Sequence, residues 1–136
     1  MPIRSLDNAA PCPCGSGDRF DGCCAPVLAG SPPATAEGLM RSRYTAFAVG
    51  DAEYLAGSWH PGSRPESLEV DDDLSWAGLE ILDTERGQSG DTRGVVEFRA
   101  HFQQGHGRGA NRGVLRERSR FVFQSGRWWY LDGVLR

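Results

Sequence analysis

The stretch GVVEFRAHF, residues 94–102, decides the fold class because apolar and polar residues alternate along it. One face of an extended strand would carry Val96, Phe98, Ala100 and Phe102, and the other face would carry Glu97, Arg99 and His101. Alternation with a period of two is typical of a strand with one buried face and one solvated face. The stretch therefore predicts a strand of an antiparallel sheet.

The same period recurs before and after this stretch. It predicts four strands, at residues 79–84, 94–102, 114–123 and 127–132, which Gly-rich turns join into an antiparallel meander. The core face of the third strand would carry Leu115, Glu117, Ser119, Phe121 and Phe123. A carboxylate on a buried face costs several kcal/mol unless it is paired, so Glu117 requires a partner. We expect that partner to be cationic or hydrogen-bonding, and Arg41 and Arg43 are the candidates.

A helical pattern precedes the strands. Thr35 can cap a helix in which apolar residues recur at helical spacing as far as Ala48, and Gly50 ends it. A second, short helix is predicted to start at Asp51 and to end before His60–Pro61, since the residue before proline avoids helical geometry. Helices followed by a meander predict an α+β domain over residues 35–136, with the helices on one face of the sheet.

Composition limits the class of protein. A chain of 136 residues with 39% hydrophobic and 24% charged residues suits one globular domain with a small appendage. No apolar run approaches the roughly 20 residues of a membrane span, and the stretch Met1–Asp7 lacks the apolar core of a secretory signal. We therefore expect a cytoplasmic protein. The net charge of −3 argues against a general nucleic-acid binder.

All four cysteines lie in CPCGSGDRFDGCC, residues 12–24. A disulfide framework does not suit a cytoplasmic chain, and the Cys-x-x-Cys spacing of a redox pair is absent. A tetrathiolate metal site remains, with Cys12, Cys14, Cys23 and Cys24 as ligands. Four soft ligands suit tetrahedral Zn²⁺, although iron binds the same set. A closed site of this kind is structural, and it would order residues 1–34, which lack a core of their own.

The cysteine stretch resembles the SEC-C motif, the small metal-binding tail of the preprotein translocase ATPase SecA. The rest of the chain resembles the YchJ family of bacterial proteins in five stretches: LMRSRYTAF (39–47), DAEYL (51–55), WHP (59–61), ERSRF (117–121) and WWYLDG (128–133). The resemblance implies a nuclear-transport-factor-2-like (cystatin-like) cone, in which helices pack on a curved antiparallel sheet. A short N-terminal zinc knuckle would precede this cone.

A cone of this type commonly holds a pocket. The candidates to line it are Arg41, Arg43, Tyr44, Trp59, His60, Glu117, Ser119, Trp129 and Tyr130. Polar groups aimed at an apolar cavity are typical of small-molecule sites, and a His beside a carboxylate can act in acid/base chemistry. Each residue also has a structural alternative. Glu117 and an Arg can form a packing ion pair, His60 can terminate a helix, and the tryptophans can supply core.

Two functions from different classes follow. In the first, the zinc module is an adaptor that docks onto a protein partner in the secretion or translation machinery, as the SEC-C resemblance implies. In the second, the pocket of Glu117, Arg41, Arg43 and His60 serves an enzyme or a small-ligand-binding protein. The sequence contains no complete catalytic set and no phosphate-binding loop, which favours the adaptor.

Overall fold

A computed structural model describes residues 6–71, 73–105 and 107–136. Three predictions extend beyond these residues. Residues 1–5 lie outside the described part of the chain, so it lacks the start of the predicted metal-binding segment 1–34 and most of the Met1–Asp7 stretch. One position in the loop before the third strand also lies outside it. Within that part, three α-helices precede an antiparallel sheet of four strands.

The three helices are α1 (Cys24–Leu28), α2 (Ala36–Val49) and α3 (Ala52–Gly57). The side chain of Thr35 accepts a hydrogen bond from the Gly38 N–H at 3.0 Å and caps α2, which ends at Gly50 in the left-handed conformation at φ 81°. Both boundaries of α2 are as predicted. The sequence pattern did not predict α1. None of the helices in the described ranges is long and apolar enough to cross a membrane.

The sheet consists of β1 (Leu74–Arg86), β2 (Arg93–Gln104), β3 (Asn111–Gln124) and β4 (Arg127–Leu135), in the order β1-β2-β3-β4. This confirms the α+β prediction, although all four strands are longer than their alternation indicated. β1 contains register shifts between Trp76 and Gly78 and between Ile81 and Asp83. Each shift moves the following side chains to the other face, so a period-two pattern cannot follow the strand.

The buried face of the sheet packs against α2. Val96, Phe98, Phe121 and Trp128 belong to one core cluster with Leu39, Met40 and Tyr44 of that helix. Phe123 departs from its predicted core position, because it lies at the β3–β4 turn and remains 41% exposed. On the opposite face Glu97 is only 7% exposed, since Arg116 and Arg118 cover it from the neighbouring strand.

Candidate metal centre and sheet cavity

The four thiols converge on one point. The amide of Cys12 donates to the Asp18 carbonyl at 2.9 Å, and the amide of Gly15 donates to the Cys12 carbonyl at 3.1 Å, so the chain folds back after the first two cysteines. Cys23 is the N-cap of α1 and Cys24 its first residue, which lets two adjacent side chains point towards one centre. The four Sγ atoms all lie within 4.8 Å of one another.

The geometry and chemistry of the cluster fit a tetrathiolate ion. Four sulfurs at the Zn–S distance of about 2.3 Å would lie about 3.8 Å apart, close to the 3.6 Å that separates the Sγ atoms of Cys14 and Cys23. None of the four cysteines forms a disulfide. Cys12, Cys14 and Cys24 are 4%, 0% and 2% exposed. Cys23 is half-buried, so this donor set can hold a metal ion that is largely shielded from solvent.

Hydroxyl groups and neighbouring thiols tune the cluster. The Oγ of Ser16 lies 3.1 Å from the Cys23 Sγ, and the hydroxyl of Thr45 donates to the Cys24 Sγ at 3.3 Å. The neighbouring Cys24 thiol lowers the pKa of Cys14 to about 4, and the same contact followed by burial raises the pKa of Cys24. Burial raises the pKa of Cys23 to about 11. Of these three thiols, Cys14 is therefore the one most readily deprotonated, because its neighbours stabilise its thiolate.

Helix α2 connects the cluster to the domain. The guanidinium of Arg41 donates from Nη1 to the Cys14 carbonyl at 2.7 Å and from Nε to Glu37 at 3.0 Å. Arg41 is therefore not a pocket residue, and its predicted pairing with Glu117 is wrong. Residues two apart on a helix point to different sides, so Arg41 and Arg43 cannot face the same site.

A cavity of about 300 Å³ lies between the buried face of the sheet and α2. Six of the nine predicted residues line it: Arg43, Tyr44, Trp59, Glu117, Ser119 and Tyr130. Most of the remaining wall is apolar and comes from Met40, Phe47, Trp76, Phe98 and Leu115. The alternation of apolar and polar residues predicted the correct face of the sheet for Phe98 and Leu115. It could not predict the face for Trp76, because β1 has a bulge next to this residue.

Two other predicted pocket residues point away from the cavity. Trp59 pairs with Tyr130 in a bridge between extended segments, and neighbouring residues in such segments face opposite sides. His60, next to Trp59, therefore bonds to the Gln124 side chain at 2.8 Å and accepts from the Gly62 amide at 3.0 Å. Trp129 likewise donates to the Gln124 carbonyl at 2.9 Å. No acid/base pair of His60 and Glu117 is assembled.

Glu117 has hydrogen-bonding partners, one of the two expected kinds, but they are hydroxyl groups and not Arg41 or Arg43. Its Oε1 accepts from the Ser119 hydroxyl at 2.8 Å and from the Tyr130 hydroxyl at 3.1 Å. Behind the carboxylate lies Gly133, where a Cβ atom would come within 2.1 Å of the same oxygen. The carboxylate is thus held in place by two donors and by the backbone of β4.

Arg43 is a fixed cation in the wall. It is 3% exposed, and its Nη1 donates to the Leu55 carbonyl at 2.8 Å and to the Ser58 hydroxyl at 2.6 Å. Its guanidinium lies 4.2 Å from the centre of the Tyr130 ring and 5.3 Å from that of Trp59. Burial lowers the pKa of Arg43 to about 10, so the side chain remains charged at neutral pH.

One polar atom at the cavity has no partner. The indole Nε1 of Trp59 is buried and has no acceptor among the described residues. Leaving a buried donor unpaired costs about 1–3 kcal/mol, so such atoms are rare and call for an explanation. Sequence reasoning could not find this atom, because its isolation depends on how the Trp59 ring packs edge-on against Tyr130.

Comparison with known proteins finds similar proteins for the domain that holds the cavity and for the chain over most of its length. Residues 35–133 match the family described as "YchJ, middle NTF2-like domain". A UPF0225 protein of Streptomyces coelicolor is 48% identical over 124 residues, which cover 90% of this chain and 94% of that protein.

Two solved structures have the same fold. A SEC-C motif containing protein from Rhodopseudomonas palustris, determined in solution, has a TM-score of 0.78 at 35% identity and covers 92% of this chain and 98% of its own. The crystal structure of a SEC-C motif containing protein from Psychrobacter arcticus has a TM-score of 0.72 at 25% identity, covering 95% of this chain and 84% of its own. These matches confirm the predicted cone-type fold and the SEC-C resemblance.

Proposed function

Because the chain belongs to the YchJ family and carries its SEC-C motif, we propose that it is a zinc-stabilised small-molecule-binding protein. In this proposal, the four cysteine thiolates hold a structural Zn²⁺ and the cavity under α2 binds the ligand. The observation that carries the proposal is the cavity of about 300 Å³ with an apolar wall and a few fixed polar groups. This combination is characteristic of small-molecule sites.

Cys12, Cys14, Cys23 and Cys24 would fill all four positions of a tetrahedral ion. With no open position, the metal would supply folding energy and no Lewis-acid chemistry. Residues 1–34 would then form the metal-ordered segment and residues 35–136 the cone domain, a division that remains a prediction. Reduced thiols of this kind persist in the cytoplasm, which is the compartment we propose.

Zinc is proposed over iron because a structural site needs no redox activity, whereas both ions accept four thiolates. The two ions are distinguished by absorption, since an iron tetrathiolate is coloured and Zn²⁺, with its filled d shell, is not.

The adaptor is the second candidate. The observation that favours it is the exposure of the loop between the two cysteine pairs, where Asp18, Arg19 and Asp21 are all exposed to solvent. A protein partner in the secretion or translation machinery would dock there. Substituting Arg19 and Asp21 together would abolish such docking and leave the cavity unchanged, which separates the two functions.

A fragment screen by NMR tests the proposed function. We expect small apolar fragments with one polar group to shift the indole signals of Trp59 and Trp76. A Leu115→Trp substitution fills the cavity and should abolish these shifts, whereas Val114→Trp places the same ring on the opposite face, at a position that is 52% exposed. If no fragment shifts the signals, or if both variants behave alike, the proposed function is wrong.

A further inference from the structure

The cavity contains two opposite charges that are not paired with each other. Each is held by its own neutral partners: Glu117 by the hydroxyls of Ser119 and Tyr130, and Arg43 by the Leu55 carbonyl and the Ser58 hydroxyl. Arg43 and Glu117 interact electrostatically, yet among the described residues they form no direct ion pair, because Tyr130 packs its ring on Arg43 and donates its hydroxyl to Glu117. A charge pair that only stabilised the core would be expected to close on itself, since a buried charge is costly when it is unpaired.

The carboxylate of Glu117 retains binding capacity. Both hydroxyls donate to Oε1, and Oε2 accepts no hydrogen bond from the described residues. Glu117 is half-buried although it is directed towards the core face, because the cavity opens beside it. A carboxylate accepts at both oxygens and binds charged donors most strongly, so Oε2 is suited to a ligand ammonium group.

Trp59 also lines the cavity. Its indole N–H has no acceptor among the described residues, and its ring lies beside the guanidinium of Arg43. A ligand group that reaches this indole must accept a hydrogen bond. The rings of Phe47, Trp76 and Phe98 belong to the same lining and offer an apolar surface, against which an apolar or aromatic body can pack.

Resting on the proposed function, we infer that the ligand is a small organic amine, with its ammonium group on Glu117, an apolar body between the aromatic rings, and a hydrogen-bond acceptor towards Trp59. The cavity volume of about 300 Å³ limits the ligand to the size of a single substituted ring. Such a ligand would pair with the free oxygen of Glu117 and with the unpartnered indole N–H of Trp59.

Four probes with related bodies test this assignment: tyramine, phenethylamine, tyrosol and 3-(4-hydroxyphenyl)propanoate. Tyramine has the ammonium group and the acceptor, phenethylamine lacks the acceptor, tyrosol is neutral and the last probe is an anion. We expect tyramine to bind about tenfold or more tightly than tyrosol and the anion, as the loss of one charge-assisted hydrogen bond implies. Affinity is measured by titration of the tryptophan indole signals.

Variants locate the contacts. Glu117→Gln keeps the acceptor for Ser119 and Tyr130 but removes the charge, and it should abolish the preference of the protein for tyramine over tyrosol. Glu53→Gln, at an exposed position of α3, is the matched control and should leave the preference unchanged. Trp59→Phe should reduce the advantage of tyramine over phenethylamine by a few-fold, since it removes the indole donor. Melting curves of each variant verify folding.

The outcomes distinguish this inference from the proposed function. Tighter binding of tyrosol or the anion, or an unchanged preference in Glu117→Gln, overturns the ligand class while the small-molecule cavity stands. Absence of binding for all four probes also overturns the ligand class, and the wider fragment screen then decides the proposed function independently.

Discussion

The guanidinium of Arg41 donates a 2.7 Å hydrogen bond to the backbone carbonyl of Cys14, which joins helix α2 to the first cysteine loop. Another face of the same helix lines the cavity through Arg43 and Tyr44. A single helix thus contacts both candidate sites, and its position depends on both. A substitution in α2 at the cysteine loop should therefore change the metal affinity. Loss of the metal should in turn change the packing of α2.

Arg41→Ala should weaken metal binding. A hydrogen bond from a charged donor is worth about 1.5 kcal/mol or more, so the metal affinity should fall about tenfold. Competition with a chromophoric chelator measures this affinity. Arg19→Ala is the matched control, because Arg19 forms a surface pair with Asp21 at 64% side-chain exposure and such pairs contribute little. Equal losses in both variants would contradict the role of Arg41.

Removal of the metal by a chelator should release the cysteine segment and spare the sheet. The hydrogen bonds from the amide of Cys12 to Asp18 and from the amide of Phe20 to Ala10 close the cysteine loop, and both depend on the converging thiols. We expect these two amides to exchange hydrogen at least about tenfold faster after chelation, while the amides of Val96 and Phe98 remain protected. Uniform acceleration at all four amides would show that the metal instead controls the whole fold.

The sequence predicted the elements better than the side-chain partners. The cap residue Thr35, Gly50 and the alternation in β2 are local signals, and α2 and β2 follow them. The bulges of β1 are set by pairing with β2, which a local pattern does not record. The short helix α1 begins at Cys24 next to the converging thiols, and it has no periodic apolar face to identify it.

The candidate site was predicted in part for a similar reason. Pairs of neighbouring residues, Trp59 with His60 and Trp129 with Tyr130, were all assigned to the pocket. In extended segments only one residue of each pair can face inwards, and the structure selects Trp59 and Tyr130. The sequence predicted a cationic or hydrogen-bonding partner for Glu117 but could not identify Tyr130 as that partner, since Tyr130 reaches it across a strand pair whose register contains an irregularity.

Gly133→Ala should displace the Glu117 carboxylate. A Cβ atom at this position would lie 2.1 Å from Oε1, so the side chain of Glu117 must leave its two hydroxyl donors. Overpacking of this kind costs about 1–3 kcal/mol, measured as the free energy of unfolding in urea. In a Glu117→Ala background the same substitution should cost much less. An equal cost in both backgrounds would contradict the contact.

Glu97→Gln should destabilise the protein in a pH-dependent manner. Hydrogen bonds from Arg116, and then from Arg118, hold the pKa of Glu97 below its usual value of 4.5. A lowered folded-state pKa stabilises the fold above that usual value, and the contribution is lost as the pH falls through the folded-state pKa. The wild-type advantage in urea unfolding should therefore be full at pH 7 and shrink in acid. A constant advantage would contradict this pairing, and Glu53→Gln serves as the control.

The metal content of the purified chain tests the central claim most directly. Elemental analysis under reducing conditions, combined with titration of accessible thiols, should give about one equivalent of zinc per chain with the thiols of Cys12, Cys14, Cys23 and Cys24 protected. Less than about half an equivalent of any metal, with all four thiols free to react, would contradict the claim that these cysteines form a structural metal centre.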